Sequence, residues 1–348
     1  MKKSFFKLLI ILAVFSACEN QDWEFTDFDY TTVYFPYQAP GRTIELGTDY
    51  VFDNTLDNQH KCLIMAAMGG VYENKKNITI DVVVDNSLCS NLRLTNVSTN
   101  ETFDAIAMPA NYYTLPANMQ IVIPAGEIMG GIEVQLTDAF FNDSLSIKRT
   151  YVIPMVITSA TNADSVLRGQ TEIDTADRRI AEEWSIVPKD YVLYAIKYIN
   201  PWHASYLRRG IDVVKGNNGN TALDATYVYH EKYVEWDEVC NTETRSMDEV
   251  SIELKAKAEG NIDLPFELII RFDENNNCTI SNPESASYTL TGNGKYVNDG
   301  DMWGGEKRDV LHLNYTIDFG TATHTLTDTL VMRNRGIKFE TFDPIVIQ

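Results

Sequence analysis

The chain has 348 residues, with 49 acidic against 29 basic side chains and a formal net charge of −20 at pH 7. A hydrophobic fraction of 44% with 11% aromatics excludes a disordered chain, and the length predicts about two domains, each burying its own core. So acidic a balance disfavours nucleic acid and anionic headgroups, because phosphates would be repelled, and leaves neutral ligands, cationic ligands and proteins as partners.

The chain opens with Lys2, Lys3 and Lys7, followed by an apolar run from Leu8 to Phe15. That run is too short for a permanent membrane span and ends in small residues, as a cleaved signal does. Phe15, Ser16, Ala17 and Cys18 resemble the lipobox of bacterial lipoproteins, although Phe15 stands where an aliphatic residue is commoner. The resemblance implies a signal peptide over residues 1–17 and a lipid on Cys18, so that the membrane is touched only through acyl chains. An ordinary signal with an incidental cysteine is the alternative. Removing residues 1–17 leaves 26 basic against 49 acidic groups, about −23. Residues 18–28 form an acidic tether. Its cluster from Glu19 to Glu24 resembles the signal that exports lipoproteins of Bacteroidota to the outer face of the outer membrane. The expected location is therefore the outer membrane, lipid-anchored and facing the exterior.

Beyond the tether the periodicity is that of strands. Alternating or β-branched runs fall at Ile78 to Val84, Ile121 to Pro124, Ile132 to Leu136, Tyr151 to Thr158 and Val192 to Ile199. Further runs fall at Tyr227 to Val234, Val250 to Ala256, Leu268 to Phe272, Val310 to Phe319 and His324 to Met332. Asn, Gly, Asp or Pro clusters bound each of them. Asn275 to Asn277 and Gly320 mark tight turns. One stretch, Thr171 to Trp184, predicts a short helical turn capped by Asp174 or Thr175. It is charged, breaks the strand rhythm and precedes Pro188, so residues 169–188 are expected to link two all-β domains: an N-terminal β-sandwich over 29–168 and a C-terminal antiparallel β-domain over 189–348. Cys62, Cys89, Cys240 and Cys278 fit either two bridges within domains, 62 with 89 and 240 with 278, or four buried thiols.

Two sets of residues carry a family resemblance. TVYFPYQ near Val33 and RTYVIPMVITSATNADSVLRG from Arg149 resemble the uncharacterised, Ig-like β-sandwich that begins many Bacteroidota lipoproteins, some of them glycan-active. DYVLYAIKYINPWHASYLRRGID from Asp190, GNGKYVNDGDMWGGEKRDVLHLNYTIDF from Gly292 and TLTDTLVMRNRGIKFETFDP from Thr325 are similar to a second uncharacterised domain, associated with a lipocalin-like (calycin-type) barrel. The resemblance spans nearly all of the mature chain and supplies no catalytic residue. It implies a surface lipoprotein of a polysaccharide-utilisation system that binds glycan; delivery to an outer-membrane transporter or to neighbouring hydrolases is the expected use.

Sugar sites need flat aromatic faces rimmed by hydrogen-bonding groups. Trp202 follows the corner Asn200-Pro201 after an apolar strand, near His203, Tyr206, Arg208 and Arg209, and is expected at the mouth of a barrel. Trp303 lies in the glycine-rich loop from Asp299 to Gly305. Either tryptophan also fits as a core plug. Trp236 follows Tyr227, Tyr229 and Tyr233, whose shared face reads as packing ahead of a platform. Arg208 and Arg209 suit a carboxylate clamp, but a local ion pair with acids such as Asp212 is favoured.

Asp273, Asn275, Asn277, Thr279, Ser281 and Glu284 have EF-hand spacing, yet Cys278 replaces the required glycine, Pro283 blocks a following helix and strands flank the loop, so a hairpin turn is expected. His312 and His324 lie on successive strands and form a poor metal pair. No nucleophile elbow, zincin motif or phosphate loop occurs, and carboxylate spacing selects no hydrolytic pair. Four Asp-Ser/Thr-apolar triplets, at Asp143, Asp164, Asp174 and Asp328, resemble O-glycosylation sites of Bacteroidota. The expectation is a two-domain lipoprotein without catalytic residues, metal or cofactor. It binds carbohydrate through Trp202 and Trp303, with His203, Tyr206 and Arg208 as polar partners. A structural or adhesive surface protein and a divergent glycan hydrolase are the alternatives.

Overall fold

The computed structural model describes residues 27–347. The signal peptide, Cys18 and most of the tether therefore lie outside the described residues. Strand formation follows the side-chain pattern closely. Ile78–Val84 alternates buried and partly exposed residues, and so does Glu249–Ala258; such runs put one face into a core and the other toward water.

The first domain is a sandwich of two sheets. One sheet orders the strands Ser165–Val166, Thr32–Tyr34, Lys61–Gly69, Met129–Leu136 and Tyr113–Thr114. The facing sheet centres on Pro40–Glu45, Tyr191–Ile199, Tyr151–Thr161 and Ile78–Val84. Val33, Phe35, Ile64, Ile132 and Val134 from the first meet Ile44, Ile80, Ile153, Met155 and Ile196 from the second in one core. The second sheet is covered on its other face too, where Leu88, Leu94, Val152, Leu193 and Phe342 form a separate cluster.

The domain boundary expected at residue 189 is corrected here. Tyr191–Ile199 belongs to the sandwich: it pairs antiparallel with Tyr151–Thr161 and parallel with Pro40–Glu45. Its run YVLYAIKYI is apolar on both faces because it is a central strand buried from both sides. The last strand, Glu340–Val346, also returns to the sandwich, between Pro40–Glu45 and Leu92–Asn96. The second domain is thus inserted between two sandwich strands, and the chain leaves near Asn200 and re-enters near Arg335.

That domain is a closed meander. Strands Ser205–Gly216, Glu238–Thr244, Glu249–Ala258, Ile262–Phe272, Asn277–Ser281, Thr289–Trp303, Glu306–Asp318 and Ala322–Asn334 pair in sequence. The last pairs back onto the first from Asn334↔Ser205 to Ala322↔Gly216 and closes the barrel. Ala225–Tyr229 flanks the same edge of Ser205–Gly216 that Glu238–Thr244 occupies. The interior is filled by side chains such as Leu254, Phe266, Leu268, Leu313, Ile317, Leu326 and Leu330.

Thr171 to Trp184 departs from the expected helical turn. It holds only a short 3₁₀ turn, Ala181–Glu183, because side chains take over the backbone groups: Asp177 N–H donates to Glu183, and Trp184 Nε1–H donates to Asp177 O. The Asn-rich loop is a hairpin turn, with Asn276 in the left-handed region and Asp273 Oδ1 accepting from the N–H groups of Asn275 and Asn277. Cys62, Cys89, Cys240 and Cys278 are free thiols.

Candidate functional site

The expected stacking site does not assemble at the barrel mouth. Asn200 is buried and donates from Nδ2 to Ser246 O and Glu249 O, both at 2.9 Å, which turns the corner into the domain junction. Trp202 is 8% exposed and lies flat on Phe272, with centroids 4.0 Å apart and planes 6° from parallel. The face a sugar would need is therefore already occupied. Tyr206 is enclosed beneath it and donates its hydroxyl to Trp202 O at 2.9 Å. Trp303 is half-buried on the hairpin arm, paired in register with Glu306. Of the expected set, the structure brings Trp202 and Tyr206 together as core, and leaves His203 and Trp303 apart from each other at partly open positions.

Arg208 is likewise not a clamp open to ligand. Alternation along Ser205–Gly216 points Tyr206, Arg208, Gly210 and Asp212 into the barrel. The Arg208 guanidinium stands 3.1 Å from Asp328 and 3.4 Å from Glu238, donates to Lys255 O at 3.1 Å, and covers the Tyr229 ring at 4.2 Å. Burial, the largest single influence, lowers its pKa, but the Asp328 carboxylate, Tyr315 and Glu238 together outweigh it and hold the group above its ordinary value. Asp328 fits only because residue 210 is glycine: a Cβ there would lie 1.8 Å from Asp328 Oδ1. Asp212, the expected partner, pairs instead with His324 at 2.8 Å. His312 faces outward against Thr329 and does not meet His324. Among the described residues no group of three or more His, Cys, Asp or Glu side chains is placed to hold a metal.

Two other features face solvent. The first lies on the loop after Ala225–Tyr229. Asp237 is buried, accepts from Glu231 N–H at 2.7 Å and pairs with Arg209. That anchor props up the Val234–Trp236 turn. Trp236 is consequently 65% exposed and Tyr233 47% exposed, packed edge to face at 4.9 Å and 84°. The Lys232 ammonium lies 5.1 Å from the Tyr233 ring. Tyr227 and Tyr229, by contrast, are half-buried. Beside the loop, the cross-strand pair Ile211 and Val228 is exposed, with Val213 and Val239.

The second is a cavity of about 460 Å³ at the junction of the domains, lined by Ser98, Thr99, Lys197, His203, Arg335 and Glu340 among others. Arg335 staples the junction, donating to His203 O at 2.7 Å, Asn200 O at 2.8 Å and Thr48 O at 3.1 Å. Thr244 N–H donates to His203 Nδ1 at 3.1 Å. Burial, then the charges of Arg335 and Lys197, push the His203 pKa down to about 4. Burial, then Arg149, lowers that of Lys197. Neither Lys197 nor Arg335 was singled out from sequence; a lysine inside an otherwise apolar strand was the available signal. A wider cleft of about 750 Å³ borders Tyr37, Arg178, Arg179 and Phe342. Its arginines are already paired, Arg178 with Asp190 and Arg179 with Asp177.

Comparison with known proteins agrees with this architecture. An N-terminal-domain family model matches residues 28–164, and the model of a domain of unknown function, DUF5627, matches residues 201–336. The second span coincides with the inserted barrel. The crystal structure of a Bacteroides ovatus protein of unknown function is 42% identical, covers 92% of this chain and 100% of its own, and superposes with a TM-score of 0.82. A multidomain protein including DUF1735, also from Bacteroides ovatus, is 13% identical over 89% of this chain and 97% of its own, with a TM-score of 0.41. No curated protein matches.

Proposed function

Because the chain belongs to the family represented by that Bacteroides ovatus protein of unknown function, we propose that it is a cell-surface lipoprotein binding carbohydrate without catalysing its breakdown. The observation that carries this reading is the exposed Trp236–Tyr233 pair. A tryptophan left 65% in water, on a loop fastened by the buried Asp237 carboxylate to Arg209, offers an indole face to the C–H side of a sugar ring. Glu231, Lys232 and Glu235 around it supply groups that hydrogen-bond hydroxyls. In this reading the lipid on Cys18 anchors the chain at the outer membrane, the sandwich spaces the barrel from the surface, and captured glycan passes to a neighbouring transporter. The acidic body discourages contact with anionic headgroups.

Affinity electrophoresis of the mature chain against a broad panel of polysaccharides tests it. Retardation by at least one neutral glycan, lost in Trp236→Ala, is expected; an unretarded wild type across the panel rejects the reading.

One observation favours a second reading, a surface protein that assembles with others. Ile211, Val213, Val228 and Val239 leave an apolar patch next to Trp236, of the kind that protein interfaces bury. It predicts concentration-dependent association that Val228→Lys abolishes and glycan does not affect.

A further inference from the structure

Lys197 is the one partly exposed residue of Tyr191–Ile199, and it opens onto the junction cavity. Among the described residues its ammonium has neither a hydrogen bond nor an ion pair. The neighbouring cations are committed elsewhere: Arg335 donates to three main-chain carbonyls, and Arg149 is held by Glu340. Glu340, Glu101 and Glu243 act on this ammonium only from beyond ion-pair distance and do not offset its burial, which leaves the half-buried charge incompletely compensated. Across the cavity, His203 accepts at Nδ1 from Thr244 N–H, so the neutral ring carries its proton on Nε2 and presents a donor. Ser98 and Thr99 add exposed hydroxyls.

We propose that this cavity binds the carboxylate of a sugar acid, with Lys197 as counter-ion and His203, Ser98 and Thr99 hydrogen-bonding the carboxylate and ring hydroxyls. One uncommitted, half-buried ammonium matches one negative charge. A dianion such as phosphate would bring a second charge against Glu340, which lines the same cavity. Lys338, exposed at the rim, adds attraction from solvent. The volume, about 460 Å³, falls within the range of small-ligand sites. The sugar half of the proposal rests on the carbohydrate reading above; the charge half does not.

The test is protection of Lys197 from limited acetylation in the mature chain, read by peptide mapping, with glucuronate, glucose or inorganic phosphate present. Glucuronate is expected to slow acetylation of Lys197 by about tenfold or more while glucose leaves it unchanged. In calorimetry, Lys197→Met should weaken glucuronate binding by a similar factor and leave neutral-glycan binding at Trp236 intact. Trp236→Ala should leave the protection intact, which separates failure of this site from failure of the platform. No protection by glucuronate, equal protection by glucose, or stronger protection by phosphate overturns the proposal. The protection assay on the wild type decides it even if Lys197→Met does not fold.

Discussion

Arg208→Met is expected to destabilise the barrel by about 3–5 kcal/mol, the cost of stranding a buried charge when its partner is removed. Arg208 and Asp328 are both fully enclosed and 3.1 Å apart. Methionine replaces much of the stem's packing against Tyr229, so the loss falls mainly on the charge. What remains is Asp328 with a hydrogen bond from Tyr315 at 2.5 Å and with Oδ1 lacking any partner. For a domain of this size such a loss lowers Tm by about 6–20 °C. Urea unfolding followed by near-ultraviolet circular dichroism reads the change, and an unaltered m-value would confirm that stability alone moved. Adding Asp328→Leu removes the stranded carboxylate and should recover most of the loss. A single variant within about 1 kcal/mol of the parent, or a double variant less stable than Arg208→Met, would refute the reasoning.

Gly210→Ala should cost about 1–3 kcal/mol, because the new Cβ would meet Asp328 Oδ1 at 1.8 Å and Thr327 O at 2.9 Å; thermal melts check this. His203, with a folded pKa of about 4 against roughly 6.5 unfolded, leaves the unfolded chain binding the extra proton between those values. Its contribution to stability is therefore lost as pH falls from about 6.5 toward 4, at no more than about 1.4 kcal/mol per pH unit. The stability difference between wild type and His203→Gln across that window isolates the effect, and a difference independent of pH contradicts it. Burial pushes the thiols of Cys62, Cys89, Cys240 and Cys278 up to about 12. A thiol-reactive dye should therefore label them slowly in the native protein and rapidly in denaturant, and a gel without reductant should show no shift.

Much of the fold could be read from local pattern. Ile78–Val84 matches its expected span, and Glu249–Ala258 and Ala322–Asn334 extend theirs by a residue or two at each end, because alternation reports a half-buried face directly. The membership of Tyr191–Ile199 could not be read that way. An apolar run shows that a strand is central, and its partners, Pro40–Glu45 and Tyr151–Thr161, are set by distant sequence. The same limit hid the return of Glu340–Val346 to the sandwich.

The site was less legible for a related reason. Trp202 follows a Pro-containing corner, which marks a turn but does not say whether the turn faces water or a second domain. Trp236 sits in a sequence that reads as packing, and only Asp237 buried against Arg209 lifts it into solvent. Arg208 fits both a polar partner of a sugar and a local ion pair when read from sequence; the fold encloses it in an ion pair whose partners, Asp328 and Glu238, are distant in sequence, while the nearby Asp212 pairs with His324.

Stacking on Trp236 is the central claim, and fluorine NMR of the mature chain carrying 5-fluorotryptophan tests it most directly. The sequence contains five tryptophans, and Trp236→Phe assigns the resonance in question. Addition of a glycan that the protein retains should shift or broaden the Trp236 signal and leave that of Trp202, locked against Phe272, unmoved. A bound glycan that leaves Trp236 unchanged would contradict the account.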